Sequence, residues 1–118
     1  MHEPPTTQHT EYRLVLSTCP DTETARAIGE RLVADRLAAC ASLIPGLTSI
    51  YRWEGEIHRD PETLLLIKTT VARLDALMET LRRLHPYRVP EIIALPVAAG
   101  LPDYLSWIAS CTPPDAHD

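Results

Sequence analysis

Apolar and polar positions alternate along this chain in blocks of two different periods. From Tyr12 to Thr18, Leu14 and Leu16 point one way while Arg13, Val15 and Ser17 point the other, which predicts a strand. Cys19-Pro20 ends it, and Asp21 is a favourable N-cap for a helix starting at Thr22. Ala25, Ile28, Leu32 and Val33 then recur at helical spacing, and the helix closes near Leu37. Gly29 lies inside it at a propensity cost of about 1 kcal/mol, tolerable where a helix packs closely on a sheet. A second helix is predicted from Val71 to Leu84, capped by Thr70, with an apolar stripe of Leu74, Leu77, Met78, Leu81 and Leu84. His85-Pro86-Tyr87-Arg88-Val89-Pro90 is a connector, because its prolines permit neither helix nor central strand. Glu91 to Ala98 is a last strand, in which Pro96 marks a sheet edge or the strand's end. Pro102 opens a short helix to about Ser110 that presents Leu105, Trp107 and Ile108.

Between the two long helices, Ala41 to Thr70 reads as a β-hairpin. Ser49, Tyr51, Trp53 and Ile57 alternate with Arg52, Glu54 and Glu56, and Glu62 to Thr70 carries the apolar block LLLI. The turn is placed at His58-Arg59-Asp60-Pro61, because Pro61 fixes φ and offers no ladder donor. That register sets Tyr51 across from Lys68 and Trp53 across from Leu66, gathering two aromatic rings and one ammonium on a single face. It also leaves Ala41–Leu47 running past its hairpin partner, with a bend or bulge at Pro45-Gly46 and an edge in need of another strand.

The element order β-α-β-β-α-β with an added C-terminal helix predicts an α+β, ferredoxin-like sandwich. Right-handed crossovers order its antiparallel sheet 4-1-3-2 with both long helices on one face. The other face would be bare in a monomer, and its alternation is too apolar for water, so self-association is expected. Residues 1–10 (MHEPPTTQHT) read as a disordered leader, 11–110 as one domain and 111–118 as a frayed tail.

Composition then narrows the function classes. The chain has 118 residues, and a net charge of −5 with no basic stripe argues against a nucleic-acid partner. No run approaches the ~20 apolar residues of a membrane span, so no membrane partner is expected. Cys19, Cys40 and Cys111 form no CxxC pair, which indicates neither a zinc cage nor a disulfide framework and favours a reducing, cytoplasmic setting. No strained serine elbow or Ser-His-Asp order is present, so an enzyme is not expected.

Four segments carry a family resemblance: RLAACASLIPGLTSIYRWEGEI, the LLIKTT strand end, HPYRVPEIIALPV and GLPDYLSWI. Together they resemble the CutA divalent-cation tolerance proteins over about Tyr12 to Ile108. The resemblance implies a ferredoxin-like protomer in a tight homotrimer, with an architecture similar to the PII signalling trimers. It also implies a role in tolerance of copper or other divalent metals, with no established reaction and no tightly bound cofactor.

Two constellations carry candidate chemistry. In the 4-1-3-2 order strands one and three are expected to run parallel and strand four against strand one, so Cys19, Glu91 and Lys68-Thr69 share one border of the sheet with His85 and Tyr87. Thiolate, imidazole and carboxylate suit copper, and the family's proposed copper ligands are similarly a cysteine, a histidine and a glutamate in these segments, which makes Cys19, His85 and Glu91 the candidate metal ligands. The competing structural reading has His85 donating to a backbone carbonyl and Glu91 pairing with Lys68 or Arg88. The second constellation joins Tyr51, Trp53 and Lys68, with Tyr87 and Trp107, as a ligand cleft or an interface. A cation beside aromatic faces would cradle a small anion between subunits, the alternative function, whereas amphipathic aromatics alone would anchor an interface. Glu54, Glu56, Asp60 and Glu62 read as a solvated hairpin tip, Cys40 as a buried structural thiol, His58 as a solvated turn residue, and His2, His9 and His117 as weak metal binders in the tails.

Overall fold

The computed structural model describes residues 11–114. The leader and its histidines His2 and His9, together with His117, lie outside them. The elements are β1 (Tyr12–Cys19), α1 (Thr22–Ala34), β2 (Cys40–Trp53), β3 (Glu56–Thr70), α2 (Val71–Leu84), β4 (Ile93–Pro96) and α3 (Pro102–Cys111). They form a four-stranded sheet ordered β2-β3-β1-β4. This is the expected order read from the other edge. Every neighbouring pair is antiparallel, β1 with β3 included, because Tyr12 pairs with Thr70 and Cys19 with Thr63. The parallel relation expected for strands one and three is therefore corrected. A strand three that follows strand two through a tight hairpin must run back along strand one.

The Asp21 side chain caps α1 by accepting from the Thr24 N–H at 2.7 Å, and that bond holds its carboxyl below the usual range. α1 ends three residues before the expected Leu37, where Arg36 takes a left-handed φ of 60°. Leu37 and Ala38 then send their N–H groups back to the Leu32 carbonyl. Val15 and Cys19 of β1 and Leu65 and Ile67 of β3 pack under Ala25, Ile28 and Leu32 of α1 and Leu77 and Leu81 of α2. Gly29 belongs to this contact, since a Cβ there would stand 3.1 Å from the Ala41 Cβ.

The hairpin turn lies at Glu54-Gly55, not at Arg59-Asp60. Both residues have positive φ, 52° and 83°, as a two-residue turn requires. Gly55 sets the register and Pro61 does not. Pro61 sits within β3 opposite Thr48, beyond the point where β1 stops, so no third strand there calls for its missing N–H. Tyr51 consequently faces His58, Trp53 faces Glu56, and Lys68 faces Cys40. The expected overhang at Ala41 is paired after all, with Ile67, while the bulge falls as expected between Ile44 and Leu47, with Gly46 at φ 86°.

α3 closes the end of the sheet away from the hairpin tip. Leu105 and Ile108 pack with Ala39, Tyr12 and Val97. The chain from Cys111 to Pro114 is not a frayed tail. Thr112 is buried, donates its hydroxyl to the Ile108 carbonyl at 2.8 Å and lies 3.3 Å from the Thr70 hydroxyl, while Arg73 reaches the Pro114 carbonyl. The sheet face opposite α1 and α2 carries Leu14, Leu16, Leu64 and Leu66 with the exposed Ile44, Ile93 and Leu95, and it is uncovered.

Candidate functional site

The site forms where β1 ends, β3 passes it and the connector after α2 returns. Alternation along β1 sends Cys19 to the helix-covered face and Thr18 to the open face. On the covered side, the His85 Nε2 stands 3.9 Å from the Cys19 Sγ. Both imidazole nitrogens are engaged. Nε2–H donates to the Thr18 carbonyl at 2.8 Å, and Nδ1 accepts the Tyr87 N–H at 3.1 Å. On the open side, the Thr18 hydroxyl reaches Glu91 at 3.4 Å. Cys19, His85 and Glu91 thus gather around one residue but on its two sides. Among the described residues no group of three or more His, Cys, Asp or Glu converges on a point that could hold a metal. Burial, then the charges of Glu62 and Asp21, push the Cys19 thiol up to about 11, so it is protonated at neutral pH. As arranged, the three residues form no ready-made metal centre, and an ion could be held there only after Cys19 loses its proton and His85 leaves the Thr18 carbonyl. The histidine does what the competing reading required, whereas Glu91 meets the Thr18 hydroxyl and, among the described residues, pairs with neither Lys68 nor Arg88.

In front of this corner lies a cleft of about 570 Å³, lined among others by Tyr51, Trp53, Asp60, Glu62, Tyr87 and Glu91. Each tyrosine donates to a carboxylate: Tyr51 to Asp60, and Tyr87 to Glu62 at 2.6 Å. Burial and then the Glu62 bond raise the Tyr87 hydroxyl, and the Asp60 bond raises that of Tyr51, so both remain donors. Two ring contacts stiffen the walls, His85 with Tyr87 at 4.8 Å and Tyr51 with His58 at 5.4 Å between centroids. Glu62 is 9% exposed, and Asp60 and Glu91 stand beside it. Against these carboxylates the wall has the guanidinium of Arg88.

Of the second expected constellation, Tyr51, Trp53 and Tyr87 come together. Lys68 does not, and the cause is the turn. Its ammonium lies far along β3, 3.2 Å from the Ser42 hydroxyl and 3.7 Å from the Cys40 Sγ. Cys40 itself is partly exposed on that face rather than buried. Trp107 lies against Tyr104 in α3 with the two rings tilted, at the opposite end of the molecule from the cleft. His58 is tied to the Tyr51 ring rather than free in solvent. Glu62 was missed because the misplaced turn put it on a solvated tip. The Gly55 turn instead sets it level with the end of β1, beside the connector that brings Tyr87.

Comparison with known proteins agrees with this geometry. Residues 13–111 match the CutA1 divalent ion tolerance protein family. A divalent-cation tolerance protein CutA of Thermus thermophilus is 54% identical over 99 residues, covering 84% of this chain and 96% of its own length. One from Escherichia coli is 48% identical over 95 residues, covering 80% and 85%. Among solved structures, CutA from Xylella fastidiosa superposes with a TM-score of 0.85 at 47% identity, covering 87% of this chain and 99% of its own. CutA1 from Oryza sativa gives 0.85 at 39% identity, covering 89% and 96%. The chain belongs to the CutA1 divalent ion tolerance family.

Proposed function

We propose that this protein acts in divalent-cation tolerance by binding, without turnover, as a cytoplasmic homotrimer that meets ions such as copper transiently at the Thr18 corner. The observation that carries the site is the 3.9 Å approach of the Cys19 thiol to the His85 imidazole, a soft donor pair with the Glu91 carboxylate across Thr18. Binding there must remove a proton from a thiol pushed up to about 11 and detach His85 from the Thr18 carbonyl, so affinity is modest and the ion is a passing ligand. The trimer is supported by the uncovered apolar sheet face and by the free outer edge of β2, both of which a lone copy would leave in water. An anionic cleft ligand is disfavoured, because Lys68 lies elsewhere and carboxylates dominate the wall.

Calorimetric titration with Cu(II) tests the corner. His2, His9 and His117 are replaced by alanine in all samples, which removes metal binding by the termini. Cys19→Ser and His85→Ala are each expected to weaken binding at least tenfold, and Cys40→Ser to leave it intact. Equal binding with and without His85 would move the site elsewhere.

A further inference from the structure

Past the Cys19–Thr63 pair, where β1 ends, β2 and β3 run on as a two-stranded ribbon. One face of it carries Tyr51 and Trp53 across from His58 and Glu56, and both aromatic residues line the cleft. The hydrogen bonds inside the cleft divide donors from acceptors. Three hydroxyls that line it are already committed, each to a different carboxylate: Tyr51 donates to Asp60, Tyr87 to Glu62 and Thr18 to Glu91. Their protons are therefore not on offer to a guest. A carboxylate has about four lone-pair positions, so each of the three keeps acceptor capacity after taking one bond. Against these anionic groups stands the guanidinium of Arg88, which among the described residues pairs with none of them. The rest of the wall is largely aromatic. Tyr51, Trp53 and Tyr87 stay 41%, 41% and 36% exposed, although each tyrosine ring has an imidazole for a neighbour.

We propose that the cleft binds a small organic ammonium compound, held by the carboxylates of Asp60, Glu62 and Glu91 and by the ring faces of Tyr51, Trp53 and Tyr87. The spent hydroxyls and surplus carboxylate oxygens select a cation, whereas an anion would meet three like charges. A compact metal ion is a poor fit, since among the described residues no group of three acidic, histidine or cysteine side chains converges on a point that could hold one. Carboxylates set apart in this way suit a charge that is itself spread over several N–H or N-methyl groups. The aromatic wall makes the same choice independently. A ring face attracts a cation through its quadrupole, and recognition of organic ammonium groups between aromatic side chains uses that attraction. The cleft volume of about 570 Å³ lies within the roughly 300–1,000 Å³ usual for small-molecule sites. Glu62 is 9% exposed, and its charge acts on a partner more strongly there than it would in open water. The ammonium cleft is separate from the ion position at Thr18, which uses Cys19 and His85 on the covered side of β1, and only Glu91 is common to both.

Calorimetric titration of the full chain at low salt tests the ligand class, with two ammonium probes and their uncharged counterparts. Choline is compared with the isostere in which carbon replaces its nitrogen, and putrescine with butanediol. At least one ammonium probe is expected to bind tenfold or more tightly than its counterpart, and the one that does so shows whether methylated or N–H-bearing nitrogen is preferred. Asp60→Asn/Glu62→Gln is expected to weaken that binding at least tenfold and Trp53→Leu at least threefold, while Glu30→Gln on the exposed side of α1 leaves it unchanged. Charged probes that bind no better than uncharged ones, or a folded cleft variant that binds as the wild type does, overturn the proposal. Circular dichroism is the folding control. If the double variant unfolds, Glu91→Gln at the exposed rim replaces it, with a threefold loss expected and an unchanged Kd the overturning result. A protein that binds Cu(II) at the Thr18 corner but neither ammonium probe rejects the cleft ligand alone.

Discussion

His85 spends both ring nitrogens on the backbone, one on the Thr18 carbonyl and one on the Tyr87 N–H, and so ties the end of β1 to the connector after α2. That explains why a residue with metal-binding chemistry is 7% exposed and touches a protonated thiol. The types of residue at this corner were legible in the sequence, because cysteine, histidine and glutamate stand at the ends of predictable elements. Their separation onto two sides of Thr18 was not, since it depends on which way each side chain leaves its strand. Ser17 is the odd residue of the same strand. It is fully buried, and its hydroxyl has no hydrogen-bond partner among the described residues. An unsatisfied buried hydroxyl costs free energy, so Ser17→Ala is expected to stabilise the fold by about 1 kcal/mol in urea unfolding. A loss of stability would mean that the hydroxyl has a partner.

At the scale of elements, the helices were readable and the hairpin register was not. α2 spans Val71–Leu84 as its apolar stripe predicts, because an amphipathic period repeated over four turns has a single solution. The hairpin offered two competing turn signals. Pro61 looked like the breaker, yet a ribbon without a third strand accommodates a proline. Gly55 supplies the positive φ that a two-residue turn demands. The choice moved Lys68 by the length of the ribbon and with it the expected anion site. Glu54 shares the left-handed conformation at φ 52° with no glycine to relieve it. Glu54→Asn is expected to stabilise the protein by about 1 kcal/mol, since asparagine enters that region with less strain. Chemical denaturation checks it, and a destabilised variant would show that the Glu54 side chain makes a contact worth more than the strain.

Viewed as a whole molecule, the chain extends 54 Å along its longest axis and 22 Å along its shortest, with helices on one face of the sheet only. Ile93, Leu95 and Ile44 on the open face and Ile50, Trp53 and Ile57 on the ribbon are all more than 40% exposed. Apolar side chains left open on the sheet and on a projecting ribbon support the assembly proposed above. The period-two pattern of β1 and β3 carried that information, since both faces of these strands are apolar while only one is covered by helices. Sedimentation of the wild-type chain through a dilution series to micromolar concentration tests this claim most directly. The account predicts a single species of three chains that persists on dilution. A stable, folded species at the 13.2 kDa of one chain would contradict it.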